Sequence, residues 1–248
     1  MYEISYIYDE AVNYKGLEIF PIRVKDSLEF YCYADCLQID KNSIPDIKAI
    51  TMPYLEYLIS ISDNEKNFYI IKMYKLLKMC LHMDENDTIT FKEKNNKIYF
   101  VIKDIFYDST DFDNIKKIIA EQNLLELPNE KIRKSTRDEL DKLLKVQAQA
   151  RSNDTMCDFE EQMIRLSIET GFSLDDIKNM TIRKYKKYLS GLSIIKNYDT
   201  YKPAMTILSG FVEIKDKTFP PHWLSSSDED DKYSSLFVSE EEVKNKIN

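Results

Sequence analysis

Apolar positions recur along this chain with two periods, and the switches between them mark its elements. Residues 2–8 (Tyr2-Glu3-Ile4-Ser5-Tyr6-Ile7-Tyr8) alternate and are rich in β-branched and aromatic side chains, which predicts a strand. Tyr14 to Ile22 contains Gly16 and Pro21 and reads as a connection with a short extended piece. The period then becomes helical. Asp26, with Glu29 three residues on, predicts an N-cap and capping box for a helix to about Leu37. Its apolar positions are Leu28, Tyr31, Cys32, Cys36 and Ile39. Asp40 to Asp46 is rich in turn residues. Thr51 is placed to cap a second helix with Pro53 in its first turn and Met52, Leu55, Leu58, Ile59 and Ile61 on its apolar face. A third helix is predicted over 65–82, with Phe68, Ile71, Tyr74, Leu77 and Leu81 as its stripe.

At 88–92 and 97–102 the pattern turns β-rich, and Asn95-Asn96 between them supplies residues that tolerate positive φ. This predicts a β-hairpin. Asp108-Ser109-Thr110-Asp111 is a cap cluster that opens a helix carrying Phe112, Ile115, Ile118, Ile119 and Gln122 on one side, ended by Leu127-Pro128. Residues 129–155 are highly charged and then polar, a surface helix leading into a flexible joint. Asp158 is placed to cap Phe159–Thr170, Gly171 fits the position just past that helix, and Ser173-Leu174-Asp175-Asp176 starts another. Thr181 opens a further helix, interrupted near Gly191, and 194–207 is mostly helical despite Pro203. Phe211–Ile214 is a short extended piece, and Phe219 to Leu224 is an aromatic, proline-rich end. There are no internal repeats.

The predicted fold is therefore α+β, mainly α-helical with a small β-hairpin. It comprises an N-terminal helical domain at 1–128 with the hairpin at 88–103, a charged helix and linker at 129–155, a C-terminal helical domain at 156–224 and an acidic segment at 225–248.

Composition changes this picture mainly by exclusion. Gly occurs 4 times in 248 residues, and neither GxGxxG nor GxxxxGK[ST] is present, so Gly-rich phosphate loops are not expected. The formal net charge is -8, whereas nucleic-acid binders carry a basic face. The excess is uneven: residues 225–248 hold seven acids against three bases. That segment is expected to be solvated and disordered or, through Tyr233, Leu236, Phe237, Val238, Val243 and Ile247 among its acids, to fold on a partner. No stretch of about 18 apolar residues occurs, so no transmembrane helix is expected. The first residues lack the basic and apolar regions of a signal peptide. A soluble, cytosolic chain is expected.

Candidate chemistry is sparse. Cys32, Cys36, Cys80 and Cys157 stand in no ligand spacing with His82 or His222, so no metal site is expected and the cysteines read as buried free thiols. His82 lies beside Cys80 at a helix end, where it reads as a terminal cation or capping group rather than half of a Cys–His pair. GxSxG, HExxH and a DxDxDG loop are absent, so no catalytic residue and no cofactor are expected. The segment 159–189 has the outline of a helix-turn-helix, with Arg183, Lys184, Lys186 and Lys187 close behind. Asp175 and Asp176, however, stand where phosphates and base edges would lie, which opposes a polyanion.

Three stretches together resemble proteins encoded in the tail-gene region of phages and prophages of low-GC bacteria. The first runs from Ile19-Phe20-Pro21-Ile22-Arg23-Val24 through Leu37–Asp46 to Met52-Pro53-Tyr54-Leu55. The second is Asp111–Ile119 with Gln122-Asn123. The third runs from Phe159-Glu160-Glu161-Gln162 through Thr170-Gly171 to Asn179–Tyr185, then Gly210–Lys215 and His222-Trp223-Leu224. The similarity spans roughly 19–224 and leaves out the acidic segment. The group is similar to tail-assembly chaperones and baseplate-hub-associated proteins of tailed bacteriophages. It implies protein–protein work in tail or baseplate assembly, with other tail or baseplate proteins as partners, homo-oligomers included, and no membrane. The implied location is the host cytoplasm or the virion tail. It carries over no cofactor and no functional residues.

Candidate partner contacts come from residue type alone: Phe219, His222, Trp223, Tyr233 and Phe237, with Trp favoured at interface hot spots. The competing reading has Trp223 sealing the core of its domain. Two other functions stay open: a phage or prophage DNA-binding regulator using 159–189, and a phage inhibitor of a host protein.

Overall fold

Aromatic side chains from three distant parts of the chain meet at the centre of the fold. In the computed structural model, the ring of Tyr54 stacks on Phe112 at 6.4 Å, and Phe100 meets Phe112 edge-on at 5.8 Å and stacks on Tyr107 at 5.2 Å. All four side chains are fully buried. The structure describes residues 2–41, 47–64, 68–84, 87–94, 97–128, 142 and 158–209.

The elements around this centre are α1 (Glu3–Ile7), a hairpin of β1 (Val12–Tyr14) and β2 (Leu17–Ile19), α2 (Ser27–Ala34), α3 (Ile47–Thr51), α4 (Tyr54–Asn64) and α5 (Phe68–Cys80). A three-stranded antiparallel sheet follows, β3 (Ile89–Lys94), β4 (Lys97–Ile102) and β5 (Ile105–Tyr107), then α6 (Ser109–Asn123). The later helices are α7 (Phe159–Thr170), α8 (Leu174–Asn179) and α9 (Ile182–Ser209). The α+β, mainly helical class is thus the observed one.

Local signals explain the best-read elements. Asp108 accepts from the Asp111 N–H while the Asp111 side chain accepts from the Asp108 N–H, closing a reciprocal cap on α6. Asp158 caps α7, and Gly171 ends it at φ +75, a left-handed conformation glycine adopts without steric cost. Ser173 and Asp176 form a second reciprocal cap, on α8.

Several expectations are corrected. Residues 3–7 form a helix, not a strand: Tyr6 is buried, its hydroxyl donates to Glu121 Oε2 at 2.8 Å, and among the described residues no strand pairs with them. Asp26 closes a one-turn 3₁₀ helix (Val24–Asp26) and its side chain caps nothing. α2 buries Ser27, Phe30 and Ala34, leaving Leu28 80% exposed and Cys32 exposed, so the inward face lies to one side of the expected stripe. Thr51 ends α3, and the first hydrogen bond of α4 runs from the Tyr57 N–H to the Pro53 carbonyl at 3.0 Å. α4 and α5 pack through Tyr54, Leu55, Leu58, Met73, Leu76, Leu77 and Cys80, while Phe68 and Ile71 are about half exposed.

The hairpin at 88–103 gains a third strand. Lys103 and Asp104 both take positive φ, 48° and 64°, in a two-residue turn that brings Ile105 opposite Ile102. Lys15 and Gly16, at 50° and 82°, do the same between β1 and β2. α9 runs on through Gly191, where an interruption was expected.

The chain divides into two compact units, Met1–Tyr188 and Leu189–Asn248. The first therefore takes in α7, α8 and the start of α9 along with the whole N-terminal region. The linker expected at 129–155 lies, apart from Lys142, outside the described residues.

Candidate functional site

The chain around Ile19–Val24, the end of α6 and the turn ahead of α9 meet in the first unit. The segment from Ile19 to Val24 runs between α6 and the turn ahead of α9, and its backbone groups are satisfied on both sides. The Ile22 N–H donates to Asn123 Oδ1 at 2.9 Å, and the Ile22 carbonyl accepts from the Ile182 N–H at 2.8 Å. The Val24 N–H donates to the Met180 carbonyl at 2.8 Å, and Arg23 forms a β-bridge with Thr181. Gln122 donates to the Ile19 carbonyl at 3.0 Å. A buried backbone group without a partner is costly, so Gln122 and Asn123 at the end of α6 hold this segment in place.

The bases that trail the helix-turn-helix outline serve the same junction. α6 ends with left-handed Leu124, leaving terminal carbonyls without helical donors. Arg183 Nη1 donates to the Glu121 carbonyl at 2.6 Å, and Lys186 Nζ to the Leu124 carbonyl at 2.9 Å. Cations at a helix C-terminus also meet the negative end of its dipole. Arg23 donates to the Asn179 carbonyl at 2.8 Å. The second helix of the helix-turn-helix outline, α8, has six residues and packs on the 3₁₀ turn at Val24–Asp26 with Ile177 buried. Hydrogen bonds from Ser173 hold the Asp176 carboxyl below the usual carboxylate range, so it carries its charge at the start of α8. Asp175 pairs with Lys178.

Beside the junction lies an open cleft of about 590 Å³, lined by Asp9, Phe172, Asp176, Asn179, Met180, Lys184 and Tyr188. Asp9 reaches it from the connection after α1, at φ +61. Its Oδ1 accepts from the Thr181 hydroxyl at 2.6 Å and its Oδ2 lies 3.6 Å from Lys184 Nζ. The rings of Phe172 and Tyr188 meet edge to face at 5.3 Å. Sequence reasoning missed Asp9. Its residue type suits a left-handed turn, but no local signal ties it to Thr181, 172 positions away.

The other candidates are dispersed. Cys36 and Cys80 are buried, and desolvation pushes the Cys36 thiol up to about 12 and that of Cys80 higher still, which disfavours the thiolate in both. His82 is exposed, takes φ +47 just past α5, and stacks on Phe20 at 4.1 Å. Cys157 and all five candidate partner contacts, Phe219, His222, Trp223, Tyr233 and Phe237, lie outside the described residues.

Large apolar side chains do face outward elsewhere. Ile4, Ile7 and Tyr8, one face of α1 and the residue after it, are 69%, 68% and 70% exposed. Ile164 and Ile168, four apart on α7, are 42% and 75% exposed. The chain matches no protein-family model, no curated protein and no solved structure.

Proposed function

We propose that this chain is a non-enzymatic bacteriophage protein that acts in tail or baseplate assembly through protein–protein contacts, in the host cytoplasm or the virion tail. The observation that carries the protein-contact part is the outward apolar face at α1. Isolated exposed apolar residues are ordinary, but three within five positions on one helical face, each about 70% exposed, form a patch that water covers poorly. The phage part rests on the sequence resemblance alone.

The test is affinity capture of the tagged full-length protein from infected or induced cells, with partners identified by mass spectrometry. Tail or baseplate proteins are the expected partners, and their loss with Ile7→Asp would assign the contact to α1. Recovery of DNA would replace this reading with the regulator. A single host protein and no phage protein would replace it with the inhibitor.

A further inference from the structure

The cleft beside the junction has a composition that selects among ligand classes. Two carboxylates, Asp9 and Asp176, line it against one ammonium, Lys184. An anion would meet Lys184 alone and be repelled by both acids. A wholly apolar group would strip water from the carboxylates and return no hydrogen bond, which costs free energy. Among the described residues no cluster of three His, Cys, Asp or Glu side chains could hold a metal ion, so the ligand class weighed here is an organic cation.

The details favour a planar cation. Asp9 is only 25% exposed, yet its cationic neighbour stands off at 3.6 Å with 46% of its own side chain in solvent. Asp9 is thus partly withdrawn from water with a loosely held counter-ion that an incoming group can displace. Phe172 and Tyr188 add an aromatic wall, on which a guanidinium stacks while its fork of N–H donors reaches a carboxylate. An ammonium gains only the charge term.

The surroundings indicate where the guanidinium comes from. Ile7 and Tyr8, both about 70% exposed, immediately precede Asp9 in the chain, and Leu174, 49% exposed, lies two residues before Asp176. Exposed apolar side chains within two residues of the lining carboxylates suit a polypeptide, which carries its own apolar neighbours, better than a free amino acid. We propose that this cleft takes the guanidinium of an arginine side chain presented by a partner protein. The proposal rests on the protein-contact reading above and names one surface and one chemistry for it.

The full-length, isotopically labelled protein is titrated with the blocked tripeptide acetyl-Gly-Arg-Gly-amide, with its citrulline counterpart and with free L-arginine, and followed by NMR. The arginine tripeptide is expected to shift amides of the cleft residues, with binding about tenfold weaker for neutral citrulline, the loss of one charge-assisted hydrogen bond. Asp9→Asn and, separately, Tyr188→Ala each weaken arginine binding in a protein whose remaining spectrum is unchanged. Should either variant fail to fold, the citrulline comparison on the natural protein decides alone. The proposal is overturned if millimolar arginine tripeptide shifts nothing, shifts exposed carboxylates all over the surface, or binds no better than citrulline. Tighter binding of free arginine than of the tripeptide would make the cleft a small-molecule site and overturn the partner assignment. Failure here alongside recovery of tail proteins in the capture experiment removes the cleft and leaves the assembly reading. Arginine binding without tail proteins does the reverse.

Discussion

The helices α6 and α7 carry the same end signals and lead different lives. Each opens on an aspartate, Asp108 or Asp158, whose side chain accepts from the third N–H of the helix, and each closes on a left-handed residue, Leu124 or Gly171. α6 nevertheless buries nine of its 15 residues, Asp111, Lys116, Gln122 and Asn123 among them, whereas α7 buries Leu166 alone of its 12. Caps set where a helix begins and ends. Which face it hides, and how many polar groups go in with it, depends on what the rest of the chain lays against it. A helix buried this far must pair most of its polar groups, and on α6 the buried Gln122 Oε1 is left without a hydrogen bond among the described residues. α6 finds partners for Asn123 in the Ile22 N–H and the Ile119 carbonyl, and for Asp111 in Tyr14, Lys15 and the Asp108 N–H.

The sharpest way to break this comparison is to cut one side chain from each helix. Phe112→Ala should destabilise the protein by about 3–5 kcal/mol, because it empties the aromatic centre. Ile168→Ala should change stability by less than about 0.5 kcal/mol, because its side chain is mostly in water already. Urea unfolding of the two variants measures both, and equal losses would mean that α7 is as integral as α6. Next in size, Asn123→Ala should cost about 1–3 kcal/mol by leaving the buried Ile22 N–H unpaired. The matching polar cut on α7, Arg165→Ala, removes an exposed pair with Glu161 and should cost no more than about 0.5 kcal/mol. Cap removal should show the two helices as equals: Asp108→Ala and Asp158→Ala are each expected to cost about 1 kcal/mol. A much larger loss at Asp108 would show that the network around Asp111 depends on it.

The smallest effect concerns pH. Burial alone would raise the Asp111 pKa, but hydrogen bonds from Lys15, Tyr14 and the Asp108 N–H, with the Lys15 charge, outweigh it and hold the carboxyl below the usual range. The folded pKa is therefore below the unfolded one. The stabilisation is complete above the ordinary aspartate pKa, near 3.9, and is lost as pH falls through the lowered folded value. Asp111→Asn should flatten this part of the acid limb of a stability–pH curve and leave the neutral region without that pH dependence.

Much of this protein was legible in the residues alone, wherever both partners of an interaction sit within a few positions. The caps on α6, α7 and α8 and the turn glycine at 171 all belong to that class, as does the alternation of β3 and β4. The N-terminal residues misled because alternation of Ile4, Tyr6 and Tyr8 fits a strand equally well until Glu121 claims the Tyr6 hydroxyl. β5 escaped because three residues give too short a pattern, and its turn, Lys103-Asp104, adopts positive φ without the usual Asn or Gly. The inward face of α2 was misjudged because Leu28 and Tyr31 are as apolar as Phe30 and Ala34, and only packing against α5 chooses between them.

What the sequence by itself determined, then, is the set of helices and strands that local hydrogen bonds and hydrophobic period define, together with the mixed, mainly helical class. Tertiary structure alone decided the junction of Ile19–Val24 with Gln122, Asn123, Thr181 and Ile182, and the placing of Asp9 opposite Lys184. It also set Arg183 and Lys186, two bases of the run after Thr181, on the last carbonyls of α6. The physical reason is distance along the chain. These contacts join residues roughly 60 to 170 positions apart, so they exist only once hydrophobic burial has brought the segments together.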